Sequence, residues 1–431
     1  MAFVLIAGSV LGVAAATPAM AQTEIYVNGS DPDCSDSGSG TSSQPYCTIT
    51  KAATMADAGT TVLVSSGTYG GDVVVARSGT SEAPIVFRNA PYATVTVNGG
   101  INGFKVSGKS WITIKGFDVT GSAGAGIYLD SASRVTLDGN DVSGAGAPVS
   151  GQTNSGIKLR ATTSSVLVRN VTHDNSDHGI YLTLSTGNTL AGNSTYGNAR
   201  GISRAANGIF LSGSSGNSIR ANRTHDNEDS GLGLWDGSND NIVINNVVAD
   251  NGDHGIDILR STGETVVSNT VYNSVDSGVE LQGSAGADLF NNVLVDNGIA
   301  SPRTAGNIRV VDTGSADQTT LDYDLLFLSS DDNLIEYLGV AYSSLAAFRA
   351  AEGKELNGRQ ADPKFTNAAA GDLHLRAGSP AIDSANSAAP SQPATDADGR
   401  ARVDDPDTAN TGDGPRPFDD RGAFEFLPSP K

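Results

Sequence analysis

A short phrase, glycine followed by alternating apolar residues, returns down the middle of the chain. It reads GIYLD at Gly126, GIKLR at Gly156, GIYLT at Gly179, GIFLS at Gly208, GLGLW at Gly231, GIDIL at Gly255 and GVELQ at Gly278, followed by NIRVV at Asn307. The glycines are 30, 23, 29, 23, 24 and 23 residues apart. A second register agrees: Asn170, Asn193, Asn222, Asn246, Asn269 and Asn292 are spaced 23, 29, 24, 23 and 23. A period near 23 with three- to five-residue β-branched runs predicts a solenoid, in which one coil cannot bury its apolar face without the next. Strands that recur in one direction once per turn pair in parallel, about 4.8 Å apart. The asparagines then stack as a ladder of side-chain amides. No helical periodicity lies between the runs, which argues against a doubly wound sheet or a strand–helix barrel.

The flanks are capped differently. Thr48 to Gly59, "TITKAATMADAG", spaces its apolar residues as a short helix does, and it would cover the first open strand edges. The regular coils fade after about Leu328. Tyr342 to Gly353, "YSSLAAFRAAEG", predicts a helix with Ser343 or Ser344 as N-cap and Gly353 as its stop. The division that follows is a leader over residues 1–21, an all-β right-handed parallel β-helix over 22–328, and a C-terminal segment over 329–431 that packs along the solenoid or closes its end.

Residues 2–21, "AFVLIAGSVLGVAAATPAMA", are apolar and end in the small-x-small pattern of a signal peptidase site, so the chain is expected to be exported. Beyond Gln22 no apolar run is long enough to cross a bilayer. The two cysteines, Cys34 and Cys47, flank a Gly/Ser-rich loop and are expected to form one local disulfide. With 27 basic and 47 acidic residues the net charge is −20, which repels nucleic acid and anionic membranes. An acidic ligand would need a local basic patch or a bridging cation.

Acids stand out once the repeat is subtracted. Asp229, Asp253 and Asp276 take the same place on three consecutive coils, and Asp257 and Glu280 stack four residues later on two of them. Unit charges about 5 Å apart repel by roughly 3 kcal/mol at an effective dielectric near 20. Five such carboxylates with one histidine, His254, and no cysteine suit Ca²⁺ rather than zinc. The bland alternative is a row of solvated turn aspartates, the way Asp174, Asp226, Asp250 and Asp296 recur.

A second cluster lies earlier: Lys158 and Arg160 on one coil, His178 and Tyr181 on the next. Lys, His and Tyr are the residue types that remove and return protons in uronate chemistry. Lys158 stands four coils from Asp257, about 19 Å at the strand spacing, too far to act at one sugar with a cation held there. Arg260 and Arg309 lie closer, although arginine is rarely neutral enough to serve as a base. Trp235, in "GLWDGS", is a candidate sugar-stacking platform, with core filling as its alternative.

The segment "IYVNGSDPDCSDSGSGTSSQPYCTITKAATMADAGTTVLVSSGTYGG", from Ile25, and the tail motifs "DPKF", "GSPAID" and "DDRGAFEF" resemble the secreted right-handed β-helix proteins of the pectate lyase-like superfamily. The opening is most similar to the family 9 polysaccharide lyases and their relatives. The resemblance covers most of the mature chain. It implies four aspartates that bind catalytic calcium, one on a coil and a D-D-x-x-D cluster on the next. "NEDSGL" and "NGDHGID" match with Asp229, Asp253 and Asp257, and His254 stands in the middle aspartate's place. It also implies a lysine base one coil on, where this chain has Glu280 in "GVEL".

The expected function is therefore Ca²⁺-assisted β-elimination on an acidic, uronate-containing polysaccharide by an exported monomer. In that chemistry Lys158, His178, Tyr181, Arg260 and Arg309 are the candidate catalytic groups. Asp229, Asp253, Asp257, Asp276 and Glu280 are the candidate metal ligands, and Arg160, Trp235 and His254 would contact substrate. Two other classes stay open. A glycoside hydrolase would pair Asp253 with Asp276 or Glu280, and a non-catalytic carbohydrate-binding β-helix would explain the missing lysine equally well.

Overall fold

A computed structural model of the protein describes residues 23–146, 154–201, 206–299, 301, 303 and 306–428. The leader at residues 1–21 lies outside them. Among the described residues no helix is long and apolar enough to cross a membrane.

The repeat folds as the spacing predicts, into a right-handed parallel β-helix of three 12-stranded sheets. Each full coil contributes one strand to each sheet. In one coil, Ile256–Leu259 lies in the second sheet, Thr265–Val267 in the first and Thr270–Tyr272 in the third. Alternation decides what points inward: Ile256 and Ile258 are fully buried, while Asp257 and Leu259 face outward. The inward residues form a single apolar column from Val27 to Phe348. Helix Ile49–Met55, capped by the Thr48 hydroxyl, buries Ile49, Ala52 and Ala53 against the first coils.

The asparagine ladder is present and longer than the repeat suggested. It begins at Asn140 and runs through Asn170, Asn193, Asn222, Asn246 and Asn269 to Asn292, with amide-to-amide hydrogen bonds of 2.9 to 3.0 Å, and ends on Asp324 at 2.9 Å. Two more ladders run beside it. Asn188, Asn217 and Asn241 end on Glu264, and Asn175, Asn198, Asn227 and Asn251 line another corner.

Pairing continues past Leu328. Ile335–Tyr337 adds to the second sheet in parallel, and Val340–Tyr342 closes it as an antiparallel edge. Helix Leu345–Glu352, with Ser344 as N-cap and Gly353 left-handed at its end, drives Phe348 against Tyr337 and Tyr342 and so seals the stack. The tail then returns along the third sheet. Phe365, Leu373, Leu375, Ile382 and Phe424 cover Val247, Ala249, Val293 and Val295. The buried Arg402 pins the tail through Glu425 and Asn245. Near the N-terminus Cys34 and Cys47 form the expected disulfide.

Candidate functional site

The outward face of the second sheet carries the unusual residues in one register column: Lys105, Tyr128, Lys158, Tyr181, Phe210, Gly233, Asp257, Glu280, Arg309 and Glu336. Its early half is cationic and aromatic; its later half is charged. Lys105 lies over the Tyr128 ring at 5.8 Å and Lys158 over the Tyr181 ring at 5.0 Å. Tyr181 stacks on Phe210 at 5.3 Å, and Phe210 meets the edge of Trp235 at 5.0 Å. Gly233 makes this last contact possible. A Cβ there would stand 2.9 Å from both Asn207 and Phe210, so the column is left empty and the neighbouring indole leans into it. Trp235 is thus half-buried and donates its N–H to Asp257 at 2.8 Å.

Just before each of these strands the chain turns, and there the second row of acids stacks. The amide of Asp253 donates to the Asp229 carbonyl at 3.3 Å and that of Asp276 to the Asp253 carbonyl at 3.0 Å, so the three side chains rise one above another. Their carboxyls converge, so that the Asp253 side chain interacts with those of both Asp229 and Asp276. Ligand atoms of Asp253, His254 and Asp276 all lie within 4.8 Å of one another, a possible carboxylate–histidine metal group.

Burial, reinforced by the carboxyls of Asp276 and Asp229, pushes the Asp253 carboxyl up to about 10. Burial also raises Asp229. Asp276 is held below the usual range in spite of burial, by Asp253, the Ser301 hydroxyl, His254 and Arg303. The cluster therefore keeps a proton that a cation would replace.

Arg303 meets the remaining charge. Its Nη2 donates to both Asp253 and Asp276, and Ser301 donates to the other Asp276 oxygen. Sequence periodicity did not single out either residue. The available signal was length: the step from Gly278 to Asn307 is 29 residues, so about one fifth of that coil is an insertion placed directly beside the acids, and it contains an arginine.

Asp257 and Glu280 belong to a second group. Glu280 lies 3.2 Å from His254 Nε2 and accepts from Arg309 Nη1 at 3.0 Å, and Arg309 Nε continues to Glu336 at 2.9 Å. Burial, followed by the Glu280 charge, raises the Asp257 carboxyl to about 8. His254 thus joins the two acid groups. Burial lowers its pKa and keeps the imidazole neutral, and its Nδ1 is buried without a hydrogen-bond partner.

The basic candidates are distributed otherwise than expected. Arg309 is clamped between two carboxylates, and although burial favours its neutral form, Glu336 and Glu280 hold it protonated. Arg260 sits at a left-handed turn and donates to Asp236 at 2.7 Å. Arg160 does not face His178 or Tyr181; it turns back to Asp130 at 2.9 Å. His178 stacks on Phe210 at 4.4 Å, and its Nδ1 accepts the Asn207 amide at 2.9 Å, which makes it part of the scaffold. Lys158 stands four register steps from Asp257, as the spacing implied.

Residues 25–265 match the family model described as Pel9A-like, right handed beta helix region. The chain belongs to this family. It is similar to solved structures of XylC in complex with xylose (13% identity, TM-score 0.58, covering 80% of this chain and 87% of that one) and of pectate lyase Pel9A (17% identity, TM-score 0.53, covering 95% and 97%). At these identities the likeness is one of fold. Over 75 residues it is 40% identical to an uncharacterized protein, YwoF, of Bacillus subtilis (strain 168), a match that spans 17% of this chain and 15% of that protein's length.

Proposed function

We propose that this Pel9A-like β-helix is an exported protein that acts on an acidic, uronate-containing polysaccharide, as a cation-assisted β-eliminating lyase. The convergence of Asp229, Asp253 and Asp276 with His254, at the end of a column of lysines and aromatic rings, carries this reading. The donor set fits a hard divalent ion. It offers an excess of carboxylate oxygens, and in their present state one guanidinium and one retained proton offset only part of their charge. Asp229, Asp253, Asp276 and His254 would hold the ion. Calcium bound there would supply the charge that draws in a uronate carboxylate and acidifies the proton on the adjacent carbon.

The chain's own residues supply the rest. The Lys105–Tyr128–Lys158–Tyr181 column offers alternating charge and ring surface on which an acidic polymer can lie, one coil per step of about 4.8 Å. Arg303, with its side chain largely exposed, is placed to release the acids and pair instead with a sugar carboxylate. Pel9A, whose fold this chain shares, is by name a pectate lyase.

A second reading has its own observation. Glu280 occupies the place of the lysine that the family resemblance implies, and it is locked between His254 and Arg309, as a non-catalytic carbohydrate-binding β-helix would allow. One experiment separates the two. The protein is incubated with pectate, alginate and glycosaminoglycans, with calcium or with EDTA, and unsaturated products are followed by near-UV absorbance beside reducing ends. Calcium-dependent unsaturated product supports the lyase. Unsaturated product that survives EDTA removes the cation, reducing ends without unsaturation indicate hydrolysis, and polymer retention with neither indicates a binding protein.

A further inference from the structure

The corner between the second and first sheets takes a left-handed residue on nine successive coils: Trp111, Arg134, Ser164, Gly187, Gly216, Asp240, Gly263, Gly286 and Gln318. Glycine is the residue this backbone favours, and the later coils use it repeatedly. Trp111 at φ 60°, Arg134 at φ 53° and Gln318 at φ 54° are the bulky exceptions, and the first two stand next to each other in register. A bulky side chain kept in this conformation where glycine would be relaxed points to a use for the side chain.

The two side chains make one surface. The Arg134 guanidinium lies over the Trp111 indole at 5.2 Å and forms no ion pair or side-chain hydrogen bond among the described residues. They line an open groove of roughly 410 Å³ with Pro84, Thr113, Thr136 and the exposed Val166. Charge favours one kind of occupant. Among the residues that line the groove Arg134 is the one charged side chain, a cation in a chain whose net charge is −20.

We propose that the Trp111–Arg134 groove is an accessory binding site for an acidic sugar of a polysaccharide, separate from the carboxylate cluster. The indole packs against the apolar face of a sugar ring, and the free guanidinium takes its carboxylate by paired N–H donors. The site anchors polymer and performs no chemistry. It shares with the proposed function only the acidic class of sugar.

The test uses the full chain and reads retention, not cleavage. Affinity electrophoresis through gels containing polygalacturonate, alginate or neutral dextran is run on the unaltered protein, Trp111→Gly and Arg134→Gly. Glycine suits the left-handed backbone, so both variants are expected to melt no lower than the parent. Retention on at least one acidic polymer should weaken tenfold or more in each, with dextran retaining none of the proteins. In a Trp235→Phe background Trp111 is the sole indole, and its fluorescence should shift on titration with galacturonate or alginate oligomers. Unchanged retention in both variants, or equal retention by dextran, overturns the proposal. Trp111-dependent retention without unsaturated product would leave this site standing and sink the lyase.

Discussion

Arg303 is ion-paired to Asp276, a carboxylate whose side chain is 1% exposed, while the arginine itself is 63% exposed. The same Nη2 also holds Asp253. A largely exposed cation thus pairs with two acids of a stack built on three successive coils. Were the guanidinium removed, the carboxylates would be left facing one another with only the retained proton between them. Arg303→Ala is therefore expected to lower the melting temperature in EDTA and to recover it, or exceed it, in millimolar calcium. Terbium luminescence or calorimetry should show tighter cation binding than in the parent, by about fivefold, the size of one lost competing ion pair of roughly 1 kcal/mol. A variant equally stable in EDTA and calcium would show that the arginine does not stand in for a cation.

Cation binding should also be coupled to pH. Asp253 has its carboxyl raised to about 10, so below that pH the folded protein holds a proton that a cation must displace. Affinity for calcium is expected to climb from pH 5 to pH 9, approaching tenfold per unit where one proton is released. Calorimetry in two buffers of different ionisation enthalpy measures that proton directly. Heat that is independent of the buffer would mean that the acids were already ionised and would contradict the arrangement.

The scaffold was legible because it is periodic, and the site was not because its decisive contacts are out of period. Gly208, Gly231 and Gly255 announce the coil length, and Ser344 with Gly353 announces the closing helix, all through local rules of backbone conformation and capping. The stacking of Asp229, Asp253 and Asp276 followed from the same period. What their carboxyls bind did not: Arg303 reaches them from an insertion, and the insertion's length carries no register. The split of the five acids depended on Gly233, whose missing side chain lets Trp235 claim Asp257. The ladder's acid terminals, Glu264 and Asp324, stand where the repeat would put asparagine, and only their partners reveal them.

The indole–carboxylate contact is open to a direct test. Asp257 is buried and takes its hydrogen bond from Trp235, so Trp235→Phe keeps an aromatic ring at this position and removes the donor together with part of the ring surface. An unpaired buried acceptor costs about 1–3 kcal/mol. The variant should melt several degrees lower at pH 9, where Asp257 ionises, and closer to the parent at pH 6, where it is neutral. Adding Asp257→Asn should restore most of the loss at pH 9. An equal deficit at both pH values would locate the cost in ring packing instead.

Glu264, away from the acid cluster, gives a second dependence of stability on pH. It closes an asparagine ladder by accepting the Asn241 amide N–H at 2.9 Å, and burial raises its carboxyl to about 9 from the ordinary range near 4.5. Because the folded state binds its proton more tightly than the unfolded state, this group stabilises the fold fully below pH 4.5. The contribution shrinks as pH rises towards 9. At about 1.4 kcal/mol per unit, some 3 kcal/mol of it is gone by pH 7. Glu264→Gln carries no charge to bury, so its stability should lose this slope: the variant should gain on the parent as pH rises from 5 to 8, measured by urea melts at fixed salt. If the difference between the two proteins stays constant across that range, the carboxyl is not the titrating group and the ladder ends on an ionised glutamate.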